Sequence, residues 1–288
     1  MSEKLANYAE RLGRLSAAPF VLLMFFGFVA PLACVVWFGF MPAKTFDLWQ
    51  APTLANYQTI VEQTYFKSVG WSLGLAGLTV MLLLVVCYPL AYAMAKVMSS
   101  GATVITYAIA TSLFVSENIR LFGWVIGLMK NGVVGGTLKL LGFEVNSLLY
   151  NVPVIVLGMV YVYLPFMLFP LTLGIKMVPD QLAEAAFDMG ATRWQVFRKV
   201  TLPLSLPGVL IGSLLVFILS AGAIAEAKIL GGQKVVTIAA DIESEFTYAQ
   251  NWPLGSALST LFIALTTLVV FLALSRFDLE RLLGRKRD

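Results

Sequence analysis

The sequence predicts an all-α integral membrane protein with six transmembrane helices, and three observations predict it. Of 288 residues, 59% are hydrophobic and 12% charged. Mean hydropathy is +0.85. Six uncharged stretches each reach the roughly 20 residues that a helix rising 1.5 Å per residue needs to cross a hydrocarbon core of about 30 Å. Helices are required because backbone amides in lipid must satisfy one another, and the stretches lack the alternation of barrel strands. The low charge excludes intrinsic disorder, and two cysteines are too few for a disulfide scaffold. Histidine is absent, which removes the Ser-His-Asp triad and His-ligated zinc or haem, so no catalytic residue and no metal site are expected. Cys34 and Cys87 lie in apolar runs, where a thiol packs as a small hydrophobe.

Residues 1–14 form a polar N-terminal segment, and the transmembrane domain is expected over 15–275. The first span, 17–41, is closed by Pro42, Ala51-Pro52 and Asn56. Leu32-Ala33-Cys34 has the look of a lipoprotein cleavage site, but the apolar run is too long for a signal core and continues through Val35-Val36-Trp37, so retention is expected. The second span, 68–96, is separated from the third, 102–124, by Ser99-Ser100-Gly101. Asn151 and Pro153 open the fourth, 152–175, where Pro165 and Pro170 predict a kink. Pro207 opens the fifth, 206–227, and Trp252-Pro253 opens the sixth, 254–275. A basic tail, 276–288, follows. Glycines spaced four apart at Gly70/Gly74, Gly123/Gly127 and Gly208/Gly212 permit close helix contact.

Basic residues set the orientation. With both termini inside, 13 of the 20 fall on the cytoplasmic side and six, all lysine, on the outside. The net charge of +4 then reflects attraction to an anionic inner leaflet, with membrane lipids as partners; no basic face with interleaved aromatics points to nucleic acid.

The long connection between spans four and five, 178–205, carries the most information. Pro179 suits the start of a helix, Asp180 and Glu184 complement its positive end, and Gly190 stands where a left-handed stop belongs. Leu182, Ala185, Ala186 and Met189 share one face. Thr192 caps a second short helix bearing Trp194, Phe197 and Val200, which Leu202-Pro203 ends. Such a hairpin has two readings: it packs against its own bundle or the lipid surface, or it docks on a partner.

Here the sequence resembles a known family. Glu184-Ala185-Ala186, Asp188, Gly190-Ala191, Phe197, Val200, Leu202-Pro203-Leu204 and Pro207-Gly208 look like the EAA loop of type I ABC importer permeases, at the place where such permeases carry it. Thr53-Leu54-Ala55-Asn56-Tyr57, Tyr88-Pro89-Leu90-Ala91-Tyr92, Arg120 with Trp124, and Leu230-Gly231-Gly232 before Asn251-Trp252-Pro253 are similar to the spermidine/putrescine subgroup. The resemblance implies the MetI-like permease fold with a cytoplasmic coupling-helix loop in a bacterial inner membrane. It also implies partners: a second, related but different permease chain, two cytosolic ATPases and a periplasmic solute-binding protein. Glu184, Ala185, Ala186, Asp188, Gly190, Ala191, Arg193 and Phe197 would form the ATPase-coupling element. This chain has no Gly-x-x-x-x-Gly-Lys-Ser/Thr loop, so no cofactor is expected on it; ATP and Mg belong to the partner ATPases.

Ionisable groups in a membrane cost about 2.5 to 3.5 kcal/mol each on insertion scales, so each asks for a reason. Glu117 and Arg120, three apart, either pair with each other or guard the outer mouth; Glu226 either meets Lys228 or Arg120 or does likewise. Continuous helices would place all three near the outer surface. Asp241, Glu243 and Glu245 alternate, so an extended segment would present them together, as solvated loop charges or as an acidic mouth for an ammonium-bearing solute. Trp71, Trp124, Tyr161, Tyr163 and Phe166 either pack or line the path. One departure stands out: Ile224-Ala225-Glu226-Ala227-Lys228 lacks the threonine and proline usual in polyamine-type permeases. The reading is therefore an importer permease for a small solute, polyamines first. Other binding-protein-delivered solutes, such as an amino-acid derivative, opine or phosphonate, come next, and an ATPase-independent secondary transporter is the rival class.

Overall fold

A computed structural model describes residues 19–98, 100–142 and 147–276. The expected N-terminal segment and all but the first residue of the basic tail lie outside the described residues. The chain is helical, with no strand among the described residues. In order run α1 (Pro19–Phe38), α2 (Ala55–Glu62), α3 (Tyr65–Val97), α4 (Ser100–Ser112), α5 (Glu117–Leu128) and α6 (Val133–Leu140). They are followed by α7 (Val152–Lys176), α8 (Asp180–Asp188), α9 (Arg193–Ala221), α10 (Ala225–Ile229), α11 (Ile238–Thr247) and α12 (Trp252–Ser275). Six stretches among the described residues are long and apolar enough to cross a membrane: α1, α3, Glu117–Leu140, α7, α9 and α12.

Two spans differ from the sequence expectation. The third apolar region is not one helix over 102–124: α4 stops at Ser112 and α5 starts at Glu117. Thr111 and Ser112 turn their hydroxyls back onto the Tyr107 and Ile109 carbonyls, and Ser116 leaves the helical region with Glu117 in the next helix's first turn. The stretch Glu117–Leu140 is itself interrupted between α5 and α6. Twelve residues of α5 rise only about 18 Å, so this crossing is composite. The fifth span starts earlier and ends earlier than 206–227. Leu202-Pro203 does not end a short helix; α9 runs unbroken from Arg193 to Ala221. A widened turn at Phe197–Thr201, in which the Leu202 amide reaches back to the Phe197 carbonyl, makes room for a proline that has no amide hydrogen and would crowd an ordinary turn.

The described residues fall into two compact units, those within Met1–Tyr65 and Asp241–Ala264, and those within Phe66–Ala240 and Leu265–Asp288. In the first, buried Asn56 donates to the carbonyls of Gly39 (3.0 Å) and Met41 (2.7 Å), satisfying groups left open where α1 ends. Asn251 accepts from the Lys44 amide at 2.9 Å, and Trp252 meets Phe46 and Phe246 edge-on. Gly39 lets the chain lie against Ala257, where an added Cβ would be 3.1 Å from backbone.

In the second unit the core is built around α7: 56% of its most apolar window is buried, against 28% for α3 and 22% for α9. Met159, Met167, Leu168, Leu171 and Ile175 are all but fully enclosed there. α7 and α9 touch backbone to backbone. A Cβ on Gly174 would stand 2.8 Å from the Gly208 Cα, and one on Gly212 3.1 Å from the Met167 sulfur. The Gly208/Gly212 pair thus serves close contact as expected, whereas among the described residues no other element comes within 4 Å of a Cβ added at Gly70, Gly74, Gly123 or Gly127.

Candidate functional site

Two regions carry chemistry, and both belong to the second unit. The first is the connection from α7 through α8 to α9. Pro179, extended at ψ 132°, delivers the chain into α8 with Asp180 in the first turn. At the other end Gly190 adopts φ +83°; its amide donates to the Phe187 carbonyl (2.8 Å) and the Ala191 amide to that of Ala186 (3.0 Å), a left-handed stop that closes α8. Thr192 starts α9 with a reciprocal cap: its hydroxyl accepts from the Gln195 amide, and the Gln195 side chain accepts from the Thr192 amide.

The exposure of this hairpin bears on whether it packs against its own bundle. Ala186 is buried, but Leu182, Phe187, Met189 and Trp194 are 46%, 44%, 83% and 66% exposed. The apolar face is therefore not spent on the protein's own bundle. Glu184, Ala185, Asp188 and Arg193 are exposed beside it, Gly190 too, while Ala191 and Phe197 are half-buried. Phe197 stacks on Trp194 (centroids 5.3 Å apart) and receives the edge of Tyr88 from α3 (5.7 Å).

The second region is a buried charge cluster where α5, α7 and α10 converge. After Ala221 the chain leaves α9 and folds inward as α10, so Glu226 is not on a continuous helix near a surface; it is fully buried. Three contacts set this depth: Leu230 lies over Gly158 where any side chain on α7 would collide, Gly231 abuts Ile155, and the Tyr150 amide donates to the Leu230 carbonyl at 2.9 Å. Neither Glu226 carboxylate oxygen has a hydrogen-bond partner. Tyr163 faces it from α7, with Glu117 and Arg120 near enough to bear on its charge. Arg120 keeps Nε and Nη1 buried and unbonded and sets its guanidinium 5.7 Å above the Tyr161 ring, which in turn meets Trp124 edge-on at 5.8 Å. Arg120 bears on the charge of Glu226 from α5, while neither Glu226 carboxylate oxygen lies within hydrogen-bond distance of it.

Asp241, Glu243 and Glu245 sit on α11, a helix and not an extended strand, and all are half-buried. The α11 amide at Ile238 donates to Ser72 Oγ at 3.0 Å, and Glu245 accepts from the Tyr65 hydroxyl at 2.9 Å. A cap supplied from another helix gives a local sequence reading nothing to detect. Trp71 is 44% exposed. Lys96 and Ser205 were not singled out by sequence. Lys96 reaches Asp180 and the Val178 carbonyl, each at 2.6 Å, and Ser205 shares a 2.8 Å hydrogen bond with Tyr88. The one available signal was a lone lysine ending a long uncharged stretch.

Comparisons with known proteins agree with this geometry. Residues 15–285 match the family described as binding-protein-dependent transport system inner membrane component. The spermidine/putrescine transport system permease protein PotB of Haemophilus influenzae is 32% identical over 271 residues, covering 93% of each chain. Its Escherichia coli (strain K12) namesake is 30% identical, covering 81% of this chain and 85% of that one. Among solved structures, a chain of a bacterial alginate ABC transporter, in complex with an alginate pentasaccharide-bound periplasmic protein, superposes with a TM-score of 0.74. That match covers 93% of this chain and 95% of that chain at 17% identity, a likeness of fold. Six apolar crossings, an exposed hairpin between the fourth and fifth, and a family match over nearly the whole length lead to one assignment: the chain belongs to the inner-membrane components of binding-protein-dependent transport systems.

Proposed function

We propose that this chain is the permease subunit of an ABC importer, that its 178–205 loop is the coupling element for a cytosolic ATPase, and that its solute is a polyamine such as spermidine or putrescine. The observation that carries the coupling role is the exposed apolar face of α8 and the start of α9: Leu182, Phe187, Met189 and Trp194 stand in solvent in this chain, and so large an apolar patch marks a docking surface. Glu184 lies on the same hairpin and would bond to the ATPase, while Ala185 permits close approach. Because α9 is unbroken, displacement of the hairpin becomes displacement of the fifth span.

The assembly in this reading has a second, related permease, two ATPases that bind ATP and Mg, and a periplasmic binding protein. This chain holds neither nucleotide nor cofactor. Both termini face the cytoplasm, which puts the hairpin inside and α10 on the path from outside. Polyamine uptake draws on the names of the relatives and on the buried Glu226 carboxylate, whose oxygens make no hydrogen bond and whose desolvation cost an arriving ammonium would offset. A second reading, a solute that also carries an acidic group, is favoured by the unbonded nitrogens of Arg120 beside that carboxylate.

The test is reconstitution of the whole complex in liposomes, with a panel of putrescine, spermidine, amino acids, phosphonates and sugars presented through the binding protein. Polyamine-stimulated ATP hydrolysis with uptake is the expected outcome. Stimulation by another class reassigns the solute, and uptake by this chain alone without nucleotide overturns the importer mechanism.

A further inference from the structure

The coupling loop is tied to the second span as well as to the fourth and fifth. At the loop's entry, Lys96 near the end of α3 donates to the Val178 carbonyl and to Asp180 Oδ1, both at 2.6 Å. Lys96 is 17% exposed and Asp180 75%, so the ammonium is held in a partly enclosed seat and not by a surface ion pair alone. Val178, whose carbonyl completes the seat, is itself buried. At the loop's exit, Tyr88 bonds Ser205 of α9 through its hydroxyl at 2.8 Å and sets its ring edge against Phe197. Two clasps eight residues apart on α3 thus grip both ends of the hairpin.

The backbone at each clasp is unusual in the same way. Lys96 lies in a widened helical turn, Ala93–Val97, and Phe197 opens the widened turn Phe197–Thr201. Such turns interrupt the ordinary ladder of helical hydrogen bonds and recur where helices must adjust. Pro89 lies between the clasps inside α3 and removes a further backbone hydrogen bond. The end of α3 is therefore loosened from its own helix and fastened to the loop.

We propose that residues 88–97 are a third element driven by the coupling loop, with Lys96 and Tyr88 as the positioning residues that make this end of the second span travel with α8 and the start of α9 through the transport cycle. The proposal rests on the coupling role of the loop but on no particular solute. A stroke delivered to α8 then reaches three spans, and the path is reshaped on the α3 side as well as the α9 side.

The experiment uses the full complex, with Cys34 and Cys87 first replaced by serine and alanine. Lys96→Cys with Asp180→Cys is treated with a short bifunctional thiol reagent, once without nucleotide and once trapped with ATP and vanadate. Equal crosslinking in both states, with uptake retained after crosslinking, is expected. A several-fold difference in yield between the states, or arrest of uptake by the crosslink, overturns the proposal. The second arm is Lys96→Met, which keeps the side-chain stem and removes the charge. ATP consumed per solute imported should rise roughly five-fold, the low end for coupling between sites, and Lys96→Arg should restore it; an unchanged ratio overturns the role of Lys96. Trapping needs ATP and no solute, so an error in the polyamine assignment leaves the crosslinking result intact. If the loop does not couple to an ATPase, the complex shows no nucleotide-driven change at a control pair placed between Glu184→Cys and the ATPase.

Discussion

Glu226 is the residue at which folding and function pull apart. A carboxylate removed from water without a hydrogen bond destabilises the chain, and a partner group in the resting fold would have cured it. None is present. Replacing Glu226 with Gln removes the unpaired charge while preserving shape. The purified permease should then melt at a higher temperature, while the apparent KM for putrescine in reconstituted uptake rises roughly ten-fold, equivalent to losing about 1.4 kcal/mol of binding. Unchanged transport kinetics would return Glu226 to a purely structural role. Sequence picked out this residue because a charge beside an apolar run is conspicuous. Its burial was not legible, because the fold-back depends on Leu230 finding Gly158 some seventy residues earlier in the chain.

Between the residue and the whole, the hairpin of α8 and the start of α9 was the most readable part. Its signals are local: Pro179, the acidic first turn, Gly190 in the left-handed region and the Thr192 cap all occupy the positions that their chemistry requires. The two spans that differed failed for the opposite reason. Ser112 to Ser116 reads as an uncharged continuation until hydroxyl back-bonding interrupts it, and Pro203 reads as a stop until a widened turn accommodates it. The turn at Gly190 also gives a direct test. No neighbour lies within 4 Å of a Cβ added there, so Gly190→Val acts through backbone strain alone, about 1 to 2 kcal/mol for a side chain in the left-handed region. Membrane insertion should be normal, whereas uptake per ATP hydrolysed should fall roughly ten-fold. Normal coupling in that variant would mean that the angle between α8 and α9 is not transmitted.

For the molecule as a whole, the number of crossings and the helical class followed from hydropathy alone, because lipid leaves the backbone no alternative. The proposed orientation, with both termini inside, draws on the unequal distribution of lysine and arginine. A single cysteine introduced at Ser2 or at Asp288, in a chain lacking Cys34 and Cys87, should resist a membrane-impermeant maleimide in spheroplasts and react after lysis; labelling of intact spheroplasts would invert the assignment of both mouths. The structure adds a mechanical detail that hydropathy could not. α9 is a rod of 29 residues, roughly 43 Å long, and it bears most closely on α7 over Gly208 to Gly212, near its midpoint. A beam resting on a central fulcrum behaves as a see-saw: pressing one extremity down lifts the other by the same amount. Under the proposed importer role, a tilt delivered at its Arg193 end would swing its Ala221 end, five residues before Glu226, in the opposite sense, so that closing one mouth and releasing the other would be a single movement.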